Sequence, residues 1–210
     1  YDLLALVDDL DDPARRIVEL ALIRMNREIA RRGVVVQYRL AERLGTFATP
    51  VDDLARLLAK DDDDLFVDRC QLLGARMITG GRKIEEALLE KVLGPLVFSD
   101  AAAFRARVAR EIRERRAAFG ASEEGAVHLK KAKGGLREID LVLAAEKARL
   151  AAWEAVDDDL FGALARRDPS RRPAYEALAA ANDFLVAVRS ACRVCVAAVD
   201  EVRRDHLARP

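Results

Sequence analysis

From Leu178 onward the apolar residues fall at alternating spacings of three and four: Leu178, Ala181, Leu185, Val188, Cys192, Cys195, Val199 and Val202. That spacing puts every member on one stripe of a helix, whereas a strand would split them between its two faces. It points to helices packed through aliphatic seams. A long helix is expected from about residue 174 to 206, after the chain break Asp-Pro-Ser-Arg-Arg-Pro at 168–173. Cys192 and Cys195 form a Cys-x-x-Cys on this seam. A zinc site needs about four ligands, and no second cysteine pair or histidine pair is nearby. Both are therefore expected to be buried, reduced core residues.

The same helical pattern recurs upstream. Helices are expected over 52–60, 65–78, 84–93, 101–118 and 136–156, with Phe104, Val108 and Ile112 on one face of the fourth. Apolar residues make up 51% of the chain and aromatics 5%, so the core is aliphatic. The first 40 residues differ. Leu3–Val7 is a short apolar run closed by acidic residues, which reads as a buried strand. Pro13 opens a helix with Val18, Leu22, Met25 and Ile29 on its stripe, and Gly33 closes it. Residues 34–40 read as a second strand. Residues 45–50, with Gly, Thr and Pro, are the expected linker. The expected architecture is mainly α: a partial α/β domain over 1–50, then an all-helical domain over 51–210 with no strands.

The charge balance narrows function. Lys and Arg number 36 and Asp and Glu number 36, so the chain is formally neutral and general nucleic-acid binding is not expected. No apolar run approaches the roughly 20 residues of a membrane span, and no signal peptide is visible. Three cysteines, an odd number, fit a reducing compartment, and the expected location is the cytoplasm. His128 and His206 lack a plausible nucleophile partner.

The densest local signal is Lys-Lys-Ala-Lys-Gly-Gly-Leu-Arg-Glu-Ile-Asp at 130–140. A glycine turn that opens into a helix gathers backbone N–H donors and the positive dipole end, which suits an anion such as phosphate. Lys130 and Lys133 add positive potential beside Gly134 and Gly135. A plain turn with solvated charges, in which Arg137 or Glu138 ties two helices, is the structural alternative.

This stretch resembles the KxGxGGLRDIEF signature of the bacterial glutamine synthetase adenylyltransferases and its relative in the PII uridylyltransferases. His128 stands where that family has an acid, Ala132 replaces a glycine, and Asp140 replaces a glutamate. Three further stretches fall in the family's order. Residues 1–8 resemble the end of its GSDLDLVFLYD strand, 71–80 its ALLRARVVAGD helix, and 181–189 with 203–207 its C-terminal signature. The resemblance implies a metal-dependent nucleotidyltransferase that moves AMP or UMP onto a regulatory protein such as glutamine synthetase or PII. It implies Mg²⁺ and ATP (or UTP) as cofactors. It makes Asp2 a catalytic and metal-holding acid, and gives Arg76, on a helix, together with Lys130, Lys133, Gly134 and Gly135, a nucleotide-binding role. Gln37 stands where the family's third acid is expected, and a neutral amide contributes little to holding a divalent cation. The catalytic acid set of this chain is thus incomplete. A non-catalytic module for nucleotide sensing or protein interaction is the alternative function.

Overall fold

The computed structural model describes residues 3–8, 11–34, 36–119, 126–153, 159–195 and 200–203. These residues are mainly helical, with two small two-stranded sheets. They form two compact units. The first comprises residues 1–72 and 76–99, and the second 73–75 and 100–210. The expected boundary near residue 50 is therefore not where the units divide. The helix that begins at Val51 packs against the strand that ends at Pro50.

In the first unit, β1 (Ala5–Val7) pairs in parallel with β2 (Ala48–Pro50), with Leu6 opposite Thr49. The expected second strand at 34–40 is corrected. Leu3 N–H donates to the Gln37 carbonyl at 2.8 Å, but α2 (Arg39–Leu44) begins two residues later. The strand proper falls inside the stretch read as a linker. Pro50 is tolerated there because it ends a three-residue edge strand. The crossover helix α1 (Asp12–Arg31) forms as expected. The Asp11 side chain accepts the Ala14 N–H at 2.9 Å, and Pro13 sits in the first turn, where its missing N–H costs nothing.

Helix α3 (Val51–Leu58) buries Val51, Leu54 and Leu58. Helix α4 (Asp63–Leu72) starts at the acidic run, where Asp62 accepts the Leu65 N–H at 2.9 Å. It ends six residues before the expected Ile78. Its buried Asp68 meets Arg39 at 3.0 Å and Arg43 at 3.5 Å, so a carboxylate removed from water is met by two guanidinium groups of α2. Helix α5 (Arg82–Leu88) continues into a π-helical segment, Leu89–Phe98, which runs through Gly94 and Pro95 rather than stopping there. Pro95 lacks the N–H that an α-helix would need, and the wider register absorbs this: Ser99 N–H bonds the Gly94 carbonyl at 2.8 Å.

In the second unit, α6 (Ala101–Phe119) buries Phe104 and Val108. Helix α7 (Leu136–Leu150) buries Leu136, Ile139, Leu141 and Ala144. Helix α8 (Leu160–Arg167), not foreseen from the sequence, joins α9 (Arg172–Cys195) around a core of Ala152, Leu164, Ala165 and Tyr175. Two expectations fail here. The region after residue 50 is not free of strands, since β3 (Ala126–His128) pairs antiparallel with β4 (Glu201–Arg203). The seam is not a continuous buried stripe either. Tyr175 is the buried residue of α9, Cys192 is half-buried and Cys195 is exposed. Val202, assigned to the seam, lies in β4, whereas Val199 and His206 lie outside the described residues. Three-four spacing selects a helical stripe but not a partner to cover it.

Candidate functional site

The turn between β3 and α7 is built from interlocking backbone bonds. His128 Nδ1 accepts the N–H groups of Lys130 and Lys131 at 3.3 and 3.2 Å, and the His128 carbonyl accepts Ala132 N–H at 2.9 Å. This fixes His128 as the tautomer with a bare Nδ1. A ring nitrogen thus accepts two turn donors, as a short carboxylate side chain does in an Asx turn.

The two glycines serve different needs. Gly134 has φ +77°, in the left-handed region where a side chain is strained. Gly135 has an ordinary φ of −76°, but a Cβ there would lie 2.8 Å from the Leu129 carbonyl oxygen and 2.9 Å from that of Ala132. The turn closes so tightly that the helix start fits only without a side chain.

That closure decides what the helix N-terminus can offer. Leu136 N–H bonds the Leu129 carbonyl at 3.0 Å, Arg137 N–H that of Lys130 at 3.0 Å, and Glu138 N–H that of Gly135 at 2.9 Å. The donors expected to cradle an anion are occupied by the turn itself. The remaining Gly134 N–H points to Glu138 Oε2 at 3.2 Å. Glu138 is buried and also receives the Arg116 fork from α6, at 2.9 and 2.7 Å. The Arg116 hydrogen bonds, the Gly134 N–H and the charges of Arg116 and Lys133 hold its carboxyl below the ordinary range, against the opposing pull of burial.

The three lysines diverge. Lys131 Nζ sits 5.1 Å from the centre of the Phe119 ring. Lys133 is exposed. Lys130 is half-buried, and its ammonium is pushed down first by desolvation, then by Arg137 and Arg189, against the pull of Asp200 and Asp140. Arg189 comes from α9 and is fixed by Asp200, with Nε–Oδ1 at 2.6 Å and Nη2–Oδ2 at 3.1 Å; Arg193 adds a third bond at 2.9 Å. The Asp200 carbonyl accepts Leu129 N–H at 2.8 Å, tying this group to the turn.

Lys130, Lys133, Gly134 and Gly135 share this one turn, while the lysine side chains diverge. Arg76 is not on a helix as expected. It lies beyond the end of α4, exposed, and belongs to the first unit. Asp2 lies outside the described residues. Gln37, at the expected position of the third acid, is exposed, and among the described residues no group of three or more His, Cys, Asp or Glu side chains could hold a metal ion. Sequence reasoning missed Arg116, Arg193 and Asp200. A partial signal existed for the first, since Glu138 is the third residue of α7 and reaches back toward the turn like the glutamate of a capping box.

A second polar group lies where α7, α8 and α9 meet. Glu146 accepts Tyr175 O–H at 2.7 Å and Arg149 at 2.7 Å, while Arg149 also reaches Asp168 at 2.6 Å. Nearby on α7, Lys147 is 2% exposed and donates to the Leu73 carbonyl at 2.5 Å. Among the described residues no helix is long and apolar enough to cross a membrane. Comparison of the chain with protein-family models, with curated proteins and with solved structures gave no match.

Proposed function

We propose that the chain is a nucleotidyltransferase-family protein, resembling the enzymes that modify glutamine synthetase or PII, and that it acts as a nucleotide-sensing or protein-interaction module without transferring a nucleotide. The observation that carries the non-catalytic half is the position of Gln37. Its carbonyl bonds Leu3, the residue after Asp2, so the residue beside the start of β1 is a neutral amide. Two divalent cations need several anionic oxygens, and this amide offers none. The family half is supported by the order of the four resembling stretches and by the α1 crossover between parallel β1 and β2. ATP or UTP is then a bound effector, and a regulatory protein of the glutamine synthetase or PII kind is the partner.

The deciding experiment incubates the protein with labelled ATP or UTP, Mg²⁺ and either target protein, and in parallel measures nucleotide binding. Binding without label transfer is expected. Transfer abolished by Asp2→Asn would instead establish the catalytic reading. Neither binding nor transfer would remove both halves of the proposal.

A further inference from the structure

The two sides of α1 meet different surroundings. Val18, Leu22 and Ile29 are half-buried, and Glu19 on the same side accepts the Thr46 hydroxyl at 2.6 Å, so this side packs toward β2. The opposite side is uncovered. Ile17, Leu20 and Ile23 are 69%, 57% and 37% exposed, and Arg16, Arg24 and Arg27 are exposed with them. At 3.6 residues per turn these six side chains fall within about 120° of arc and about 16 Å of helix. Arg24 lies between Ile17 and Leu20 around the helix, so the charges interleave with the apolar groups and do not merely rim them. Among the described residues these three arginines make no hydrogen bond or ion pair, whereas Arg31 is met by Glu28 at 2.5 Å. Scattered exposed aliphatics are ordinary, but three in one arc with unpaired guanidinium groups among them mark a binding surface.

We propose that this exposed face of α1 is the docking site for an acidic amphipathic helix of a partner protein. Arg16, Arg24 and Arg27 carry charge that no described residue pairs with, so the partner must be anionic where it meets them. A guanidinium fork matches a carboxylate with two parallel bonds, and arginine is enriched at protein interfaces. Ile17, Leu20 and Ile23 need apolar groups opposite them, interspersed with those acids. A helix with Glu or Asp and Leu at three- and four-residue spacing presents both kinds of group along one face. A lipid bilayer holds its charges in one plane and its apolar groups in a deeper one, and suits a helix whose cations stand apart from its apolar face. Because α1 is already fixed through its other side, the docking face is pre-formed. It requires neither a nucleotide nor a metal and stands apart from the nucleotide-sensing reading.

The test is fluorescence anisotropy of a labelled synthetic helix, with Glu and Leu at three-four spacing, titrated with the intact chain at low salt. A scrambled peptide of the same composition and vesicles of phosphatidylserine and phosphatidylcholine are run beside it. The helix should bind, and Arg24→Glu/Arg27→Glu or Leu20→Ser should each weaken it about tenfold. These side chains are exposed, so circular dichroism should show both variants folded as the wild type is. Arg82→Glu, at an exposed arginine of α5, should leave binding unaltered. A peptide with Lys in place of Glu should bind the doubly reversed variant better than the wild type, a reversal that misfolding cannot produce. Absence of peptide binding, or equal binding by wild type and the α1 variants, would overturn the docking face. Equal binding of the scrambled peptide would reduce the effect to general charge attraction and overturn the helical partner. Vesicle binding lost in the α1 variants, with no peptide binding, would overturn the proposal in favour of a membrane surface.

Discussion

Arg116 and Glu138 lie 22 residues apart in the chain and meet as a forked ion pair, Nε to Oε1 at 2.9 Å and Nη2 to Oε2 at 2.7 Å. The same Glu138 oxygen that receives Nη2 also receives the Gly134 N–H, so one carboxylate joins α6, α7 and the glycine turn. Among the described residues, replacing Arg116 leaves this buried carboxylate with the Gly134 N–H as its donor. Because the Arg116 side chain is 47% exposed, solvent softens the loss. Arg116→Ala is expected to lower the midpoint of urea unfolding. The folded-state value of Glu138 lies below the ordinary 4.5. Its contribution is therefore complete above about pH 4.5 and is lost as pH falls through the depressed value. Arg116→Ala should flatten that part of the stability profile, and an unchanged acid limb would argue against the pair.

Gly134→Ala should be tolerated better than Gly135→Ala. The first change strains a positive φ, at a cost of about 1 kcal/mol. The second drives a methyl group into two carbonyl oxygens and forces the turn open, at about 1–3 kcal/mol or more. Thermal melts of the two variants give the order directly.

Lys147 should give the protein a pH dependence on the alkaline side. Burial lowers its value from 10.5 to about 8. Below about pH 8 both states are protonated, and the folded state carries the desolvation cost. Between about 8 and 10.5 the unfolded chain binds the proton and the folded chain does not, so stability rises with pH across that window. Lys147→Met removes the titration. It also leaves the Leu73 carbonyl without this donor, a loss of about 1 kcal/mol that removal of a buried charge offsets. Denaturation midpoints measured from pH 7 to 10.5 should rise less steeply in the variant than in the wild type.

The cysteines should alkylate in the order of their exposure. Cys195 is exposed, Cys192 half-buried and Cys70 buried. Iodoacetamide labelling followed by mass spectrometry should modify Cys195 first and Cys70 only on unfolding. Protection of Cys192 and Cys195 equal to that of Cys70 would restore the buried seam expected from the sequence.

Local patterns determined much of the helical content. Asp11 and Pro13 mark the start of α1, Asp62 caps α4, and Phe104 and Val108 set the inner face of α6, because caps and helical stripes are short-range properties of neighbouring residues. The need for glycine at 134 and 135 was legible too. Three things were not. Strands β2, β3 and β4 are three residues each, too short to show a period, and exist because a partner segment supplies the other half of each ladder. The burial of the α9 stripe depended on whether another surface covers it, which spacing cannot encode. The use of the N–H groups at the start of α7 depended on where the Leu129 and Lys130 carbonyls fall once the turn closes. Tertiary structure therefore occupied the backbone donors of the glycine turn and tied Asp200, with Arg189 of α9, to Leu129, since contacts between distant segments are set by packing and not by sequence neighbours.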